Sequence, residues 1–225
     1  MSESVYDLVI LGAGSGGYAA ALRASQLGLK VALIEGDKVG GTCLHRGCIP
    51  TKAYLHAAET ADAIRESDTF GVQATLQGID MAKVGQYRDS IINKLFRGVQ
   101  GLLSSRGVDV IEGWGRLASP DTIEVNGRRI VGRNIILATG SYSRSIPGLD
   151  ISGRIITSDQ ALQMEWVPQR AVVLGGGVIG LEFASVWRSF GAEVTIIEAL
   201  PHLANNEDEA VSKHLERSFR KRGIA

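Results

Sequence analysis

Tyr6-Asp7-Leu8-Val9-Ile10-Leu11-Gly12-Ala13-Gly14-Ser15-Gly16-Gly17 is an apolar run that breaks into a glycine-rich turn. It returns 163 positions later, where Arg170-Ala171-Val172-Val173-Leu174 leads into Gly175-Gly176-Gly177-Val178-Ile179-Gly180. The repeat stays in register through Gly28 and Gly191, Val31 and Val194, Ile34 and Ile197, and Glu35 and Glu198. Each copy reads as strand, glycine turn, helix, strand, acid. The first strands are continuous apolar runs, as parallel strands covered on both faces require. In such a turn the first glycine (Gly12, Gly175) makes the bend and the second (Gly14, Gly177) lets a pyrophosphate approach the backbone. The third (Gly17, Gly180) lets the helix pack closely on the strand. The helix N-terminus then faces the phosphates, and the acid (Glu35, Glu198) accepts hydrogen bonds from a ribose hydroxyl. One glycine turn alone is a weak signal. Two, each with strand, helix and acid in register, predict an α/β chain of two Rossmann-like dinucleotide-binding domains with parallel sheets.

The first of the chain's two cysteines stands eight residues after Glu35, and both lie in Gly40-Gly41-Thr42-Cys43-Leu44-His45-Arg46-Gly47-Cys48-Ile49-Pro50-Thr51-Lys52. A structural disulfide usually closes a longer loop in a secreted chain, and zinc needs further Cys or His ligands at suitable spacing, so no metal site is expected. The placement points to a dithiol beside a bound cofactor; the bland alternative is two buried cysteines without chemistry. Gly47 lets the backbone curl between the thiols, and Pro50 suits the first turn of a following helix. A helix N-terminus favours the thiolate, the form that attacks disulfides. The site beside the dithiol should hold the cofactor that exchanges electrons with sulfur, a flavin dinucleotide, and the second site the nicotinamide. Glu198 is followed by Ala199-Leu200, with no arginine to neutralise a 2′-phosphate, so NAD is expected over NADP.

The dithiol run resembles the active-site pattern G-G-T-C-x-N-x-G-C-x-P-[ST]-K of the flavin-dependent pyridine nucleotide-disulfide oxidoreductases, and within them it looks most like the members that oxidise dihydrolipoamide. It departs from the pattern at His45, where Asn is usual, and at Arg46, where a small apolar residue is common. The resemblance covers nearly the whole chain. It implies FAD at the first site and NAD at the second, with electrons passing from dihydrolipoamide, free or on a lipoyl-bearing protein, through a Cys43–Cys48 disulfide and FAD to NAD. Cys43 would be the interchange thiol that attacks substrate sulfur, and Cys48 the thiol against the flavin. Lys52 would lie near the reactive flavin nitrogen, paired with Glu182. Gly41, Thr42, Gly115 in Gly113-Trp114-Gly115, and Thr139, Gly140 and Ser141 at a strand end are the further FAD contacts implied. Gly175, Gly177, Gly180, Glu182 and Glu198 serve the second site. The resemblance also implies a homodimer, with a His-Glu pair contributed across its interface from a region outside this sequence. The rival readings are an NAD(P)H-dependent reductase of another small disulfide or of a metal ion, and an inactive nucleotide-binding module.

Composition agrees with an ordinary α/β protein: 24 basic residues balance 24 acidic ones, 44% of residues are hydrophobic, and 28 glycines suit many tight turns. Balanced charge and the lack of long single-sign runs give no sign of nucleic-acid or membrane-surface binding. No apolar stretch has membrane-spanning length and no leader is evident at the N-terminus, so a cytoplasmic location is expected. Between the repeats, helices are expected over residues 52–66 and 81–105, with a loop over 70–78 and strands at 108–111 and 134–137. Asn126-Gly127 marks a hairpin between 122–125 and 128–131. Pro147-Gly148-Leu149 is a crossing point, which divides the chain into an FAD-binding domain (1–148) and a partial NAD-binding domain (149–225). A short capped helix is expected near 157–162, core roles for Trp187 and Phe190, and a helix over 208–221 closed by Gly223. Ile224-Ala225 read as the start of a further strand, so the second domain looks incomplete. None of His45, His56, His202 and His214 is assigned as a base.

Overall fold

In the computed structural model, which describes residues 5–225, packing sorts the chain into two units. One runs up to Ile49 and takes in Ser90–Pro147; the other joins Pro50–Asp89 to Gly148–Ala225.

The first unit carries β1 (Tyr6–Leu11), α1 (Ser15–Gln26), β2 (Val31–Glu35), a short helix α2 (Gly41–Arg46), the start of α3 (Cys48–Glu66) and the later turns of α4 (Met81–Ser105). The strands β3 (Asp109–Glu112), β4 (Arg116–Ser119), β5 (Thr122–Val125) and β6 (Arg128–Leu137) complete it. The sheet order is β3-β2-β1-β6-β5-β4. Leu8, Ile10, Val31 and Leu33 face Ala21 and Ala24 of α1 and Leu103 of α4, while Val9, Ala32 and Ile34 face Ile111, Ile123 and Val125. Each fully buried Val, Leu or Ile side chain contributes about 1.5–3 kcal/mol, and the small face of α1 lets the helix lie close to the strands. Gly28, at φ +79°, follows the last turn of α1 and sends the chain into β2.

The α/β fold with a parallel-dominated sheet is as expected, and one strand boundary is corrected. The sheet is mixed: β1, β2, β3 and the end of β6 run parallel, whereas β4 and β5 form an antiparallel extension. The residues expected to form two strands at 128–131 and 134–137 form the single strand β6, whose first half pairs with β5 and whose second half pairs with β1. Gly132 permits the passage, because a Cβ there would lie 2.6 Å from Cγ2 of Val9. The Asn126-Gly127 turn, with φ of +50° and +71°, closes the β5–β6 hairpin as its dipeptide predicts.

The second unit holds the rest of α3, a 3-10 turn (Ser67–Phe70), the first turns of α4, α5 (Ser158–Ala161), β7 (Arg170–Leu174), α6 (Val178–Phe190), β8 (Glu193–Ile197) and α7 (Glu209–Lys221). Its core is built on α6: Leu181, Phe183, Ala184, Trp187 and Phe190 pack with Tyr54 and Ala58 of α3, Val194 and Phe219. Trp187 and Phe190 are core residues, as their spacing predicts. β7 and β8 pair in parallel and Ile224 bridges to Val194, the strand start read from the sequence. Contrary to the two-faced burial expected of β7, Val172 and Leu174 are 63% and 51% exposed, because α6 packs on the alternate residues, Ala171 and Val173. Helix α4 has the bounds read from the sequence, while α3 begins four residues earlier than expected, at Cys48. Pro50 sits in its first turn, where a backbone N–H has no helical partner to lose.

Candidate cofactor and dithiol site

The two glycine turns have the same geometry. Gly12 and Gly175 adopt φ of +100° and +101°, a region closed to residues with a Cβ. A Cβ on Gly17 would lie 1.8 Å from the carbonyl oxygen of Gly12, and one on Gly180 would lie 2.1 Å from that of Gly175. The third glycine is thus required because its helix rests on the turn itself. Gly14 and Gly177 are different: they cap the N-termini of α1 and α6, and a Cβ on either would meet nothing within 4 Å. Open space in front of a helix N-terminus, with the Cβ left out, is a cradle for a pyrophosphate.

The acids brace these turns. Glu35 accepts hydrogen bonds from the Ala13 N–H (2.7 Å) and the Asp37 N–H (2.9 Å), and Glu198 from the Gly176 N–H (2.6 Å) and the Leu200 N–H (2.8 Å). A carboxylate has about four acceptor sites, so room for a ribose diol remains. The N–H groups of Leu200 and, next, Gly176 hold the Glu198 carboxyl below its ordinary range, so it is an anion throughout neutral pH. Sequence reasoning assigned these acids to ribose and missed their bracing role; the shared offset from acid to turn in the two repeats is the signal that carries it. Replacing Glu35 with Ala therefore removes a loop brace together with the acceptor expected for a ribose hydroxyl. It is expected to weaken FAD retention about tenfold or more, as read by flavin loss on ultrafiltration.

The dithiol segment grows out of the first turn. The Gly40 N–H donates to the Ala13 carbonyl at 2.8 Å, and Gly41, at φ +57°, lies so close to Gly14 that a Cβ would be 2.7 Å from its Cα. Helix α2 begins there and carries exposed Thr42 and half-buried Cys43. Cys48, exposed, is the first residue of α3, at the positive end of a 19-residue helix. Both cysteines stand here as thiols. The curl expected at Gly47 is a break between two helices, where a Cβ would be 3.0 Å from the Thr42 oxygen and 3.3 Å from the Cys43 Cα. Nε2 of His45 donates to the Val39 carbonyl (2.9 Å), and the ring lies edge-on to Phe96 of α4, with centroids 5.1 Å apart. His45 anchors α2.

Lys52 stands one helical turn beyond Cys48 on α3, and its Nζ lies 2.5 Å from Glu182 Oε1 of α6. With the two side chains 59% and 19% exposed, the pair contributes little to stability. The end of β6 abuts the first turn: the Ala138 N–H donates to the Leu11 carbonyl (2.8 Å), and the Ala138 oxygen and Thr139 Cα face Gly12. Gly140 and Ser141 follow, exposed. Gly115 lies against Leu11, Ile34 and Ile123, where its missing Cβ meets a packing need, and the indole of Trp114, 82% exposed, covers Gly36 next to Glu35.

Two braced glycine turns, each ahead of a helix N-terminus, and a cysteine pair launched from the first make up the candidate site. The chain belongs to the pyridine nucleotide-disulphide oxidoreductases, the family whose profile matches residues 6–225. It is 45% identical to a dihydrolipoyl dehydrogenase of Bacillus subtilis (strain 168), over 97% of this chain and 49% of that protein. A dihydrolipoyl dehydrogenase of Thermus scotoductus is 41% identical over 97% of this chain and 48% of its own length. Among solved structures, the HOCl-induced flavoprotein disulfide reductase RclA from Escherichia coli superposes with a TM-score of 0.80 at 30% identity, covering 97% of this chain and 48% of that one. The chain spans about half the length of these relatives. The family implies FAD and NAD(H) as cofactors, and the cradles at Gly14 and Gly177 fit their pyrophosphates. Among the described residues, no helix is long and apolar enough to cross a membrane.

Proposed function

We propose that the whole protein is a cytoplasmic homodimer that oxidises dihydrolipoamide, free or borne on a lipoyl-bearing protein, and reduces NAD. Residues 1–148 form its FAD-binding domain and 149–225 part of its NAD-binding domain. The observation that carries this reading is the origin of α2 on the first glycine turn, which ties a dithiol to a dinucleotide cradle. The dihydrolipoyl dehydrogenases at 40–45% identity support the substrate.

In this reading a substrate thiolate attacks the Cys43 sulfur of the Cys43–Cys48 disulfide and expels the Cys48 thiolate. The second substrate thiolate then attacks its own sulfur in that mixed disulfide, releasing lipoamide and leaving Cys43 as the second thiol. Two electrons have moved from substrate to protein. Bound FAD supplies the two-electron link between this dithiol and NAD. Lys52, held by Glu182, places a cation where reduced flavin and the Cys48 thiolate need one. Gly12, Gly14, Gly17, Glu35, Gly41, Thr42, Gly115, Thr139, Gly140 and Ser141 hold FAD. Gly175, Gly177, Gly180, Glu182 and Glu198 hold NAD.

Anaerobic assay of the whole protein tests the proposal: dihydrolipoamide with NAD should give NADH at rates far above those at which NADH reduces glutathione disulfide or Cu(II). The second reading, a reductase of another disulfide or of a metal ion, draws support from the RclA neighbour, which is also solved as a Cu(II) complex. Faster NADH-dependent reduction of either acceptor would favour it. The charge of Glu198 repels a 2′-phosphate, so kcat/KM should favour NAD over NADP by about tenfold or more; equal values would refute that preference.

A further inference from the structure

Gly176, the middle residue of the second turn, is gripped from both sides. Its N–H donates to Glu198, and its carbonyl accepts from the Ala204 N–H at 2.8 Å. In the first repeat the equivalent carbonyl, that of Ala13, accepts from Gly40, a glycine at φ +105°. In the second repeat the donor is an alanine at φ +50°, a conformation that a residue with a Cβ adopts only when its surroundings hold it there.

The holding groups come from α7. Oε1 of Glu216 accepts from the Leu203 N–H (3.2 Å) and bonds Nδ1 of His202 (3.1 Å). The buried Ser212 hydroxyl donates to the Ala204 carbonyl at 3.1 Å. Asn205 donates from its side chain to the His202 carbonyl, which closes the loop on itself. Leu203 is seated so tightly on the turn that a Cβ on Gly176 would be 2.6 Å from its Cδ2. Glu216 itself is largely buried, whereas Glu209 and Lys213, which pair with each other beside His202, are exposed.

We infer that Glu216 is a positioning residue of the second dinucleotide site: from α7 it holds residues 202–204 as a clasp on Gly176 and so sets the turn that receives the nicotinamide dinucleotide. The inference rests on the reading of that site as the NAD site. Glu216 acts through its bonds to the Leu203 N–H and the His202 ring, while Ser212 holds the Ala204 carbonyl.

The test uses the FAD-loaded whole protein, with NADH binding measured by fluorescence titration alongside steady-state kinetics. Glu216→Ala should raise the Kd for NADH and the KM for NAD about tenfold, while kcat at saturating NAD stays within about twofold and flavin content is unchanged. Glu216→Gln keeps an oxygen for the Leu203 N–H and should restore most of the affinity. If Glu216→Ala does not fold, Ser212→Ala, which removes the other strut, should shift KM in the same direction. An unchanged Kd in Glu216→Ala, a Gln variant as weak as the Ala variant, or parallel loss of kcat and flavin would overturn the clasp. Failure of the wild-type protein to bind NADH would instead overturn the reading of the site, and the clasp with it.

Discussion

Cys48→Ser is expected to abolish dihydrolipoamide turnover, a fall of at least ~10³-fold or about 4 kcal/mol of activation free energy, because the relay from substrate sulfur to flavin then has no second sulfur. Cys43→Ser should lose turnover to the same degree for a different reason, since the thiol that exchanges with substrate is gone. Spectra separate the two. A thiolate at position 48 against the flavin gives a long-wavelength charge-transfer band, which Cys43→Ser should retain and Cys48→Ser should lose. Cys48 is the exposed first residue of a long helix, whose positive end favours a thiolate there, while Cys43 is half-buried within a short one. A band that survives in Cys48→Ser would reverse the assignment.

The second large effect separates two glycines of one turn. Gly17→Ala forces a methyl to within 1.8 Å of a backbone oxygen, so the turn must open. An overpacked, backbone-limited site costs a few kcal/mol, and each kcal/mol lowers the melting temperature by about 2–4 °C in a domain of this size. Gly14→Ala should leave the stability of the flavin-free protein unchanged, because Gly14 has φ −66° and ψ −174°, open to any residue, and its Cβ would meet nothing. Yet that methyl stands in the cradle, so FAD affinity should fall by about tenfold or more. Thermal melts of the flavin-free proteins and FAD titration decide the matter. A Gly14→Ala protein that binds FAD normally would remove the pyrophosphate from this turn.

The parts legible in the sequence are those whose physics is local. The glycine turns, their acids, α4 and the Asn126-Gly127 hairpin each announce themselves through spacing or a dipeptide with one conformational solution. Strand β4 has no such signature: Arg-Leu-Ala-Ser acquires its strand from pairing with β5. The continuity of β6 depends on a contact between Gly132 and Val9, more than a hundred residues apart, which no window along the chain displays. The packing of Tyr54 and Ala58 against α6 is likewise set by tertiary fit, so residues 50–89 join the second unit although they precede the Pro147-Gly148 crossing by many residues. At the candidate site the cysteines, Lys52 and the glycines were readable as residues. What was not readable is how they are held: the bracing of the glycine turns by Glu35 and Glu198, the anchoring of α2 by His45, and the left-handed Ala204, whose conformation its neighbours impose.

Anaerobic reaction of the oxidised whole protein with one equivalent of dihydrolipoamide, followed by alkylation and mass mapping of the cysteines, tests the central claim that a Cys43–Cys48 pair carries the electrons. The expected result is that Cys43 and Cys48 become alkylated together, and that NAD added before the alkylating agent restores their protection with formation of one equivalent of NADH. Full-rate NADH formation by protein whose Cys43 and Cys48 had both been blocked beforehand would contradict it.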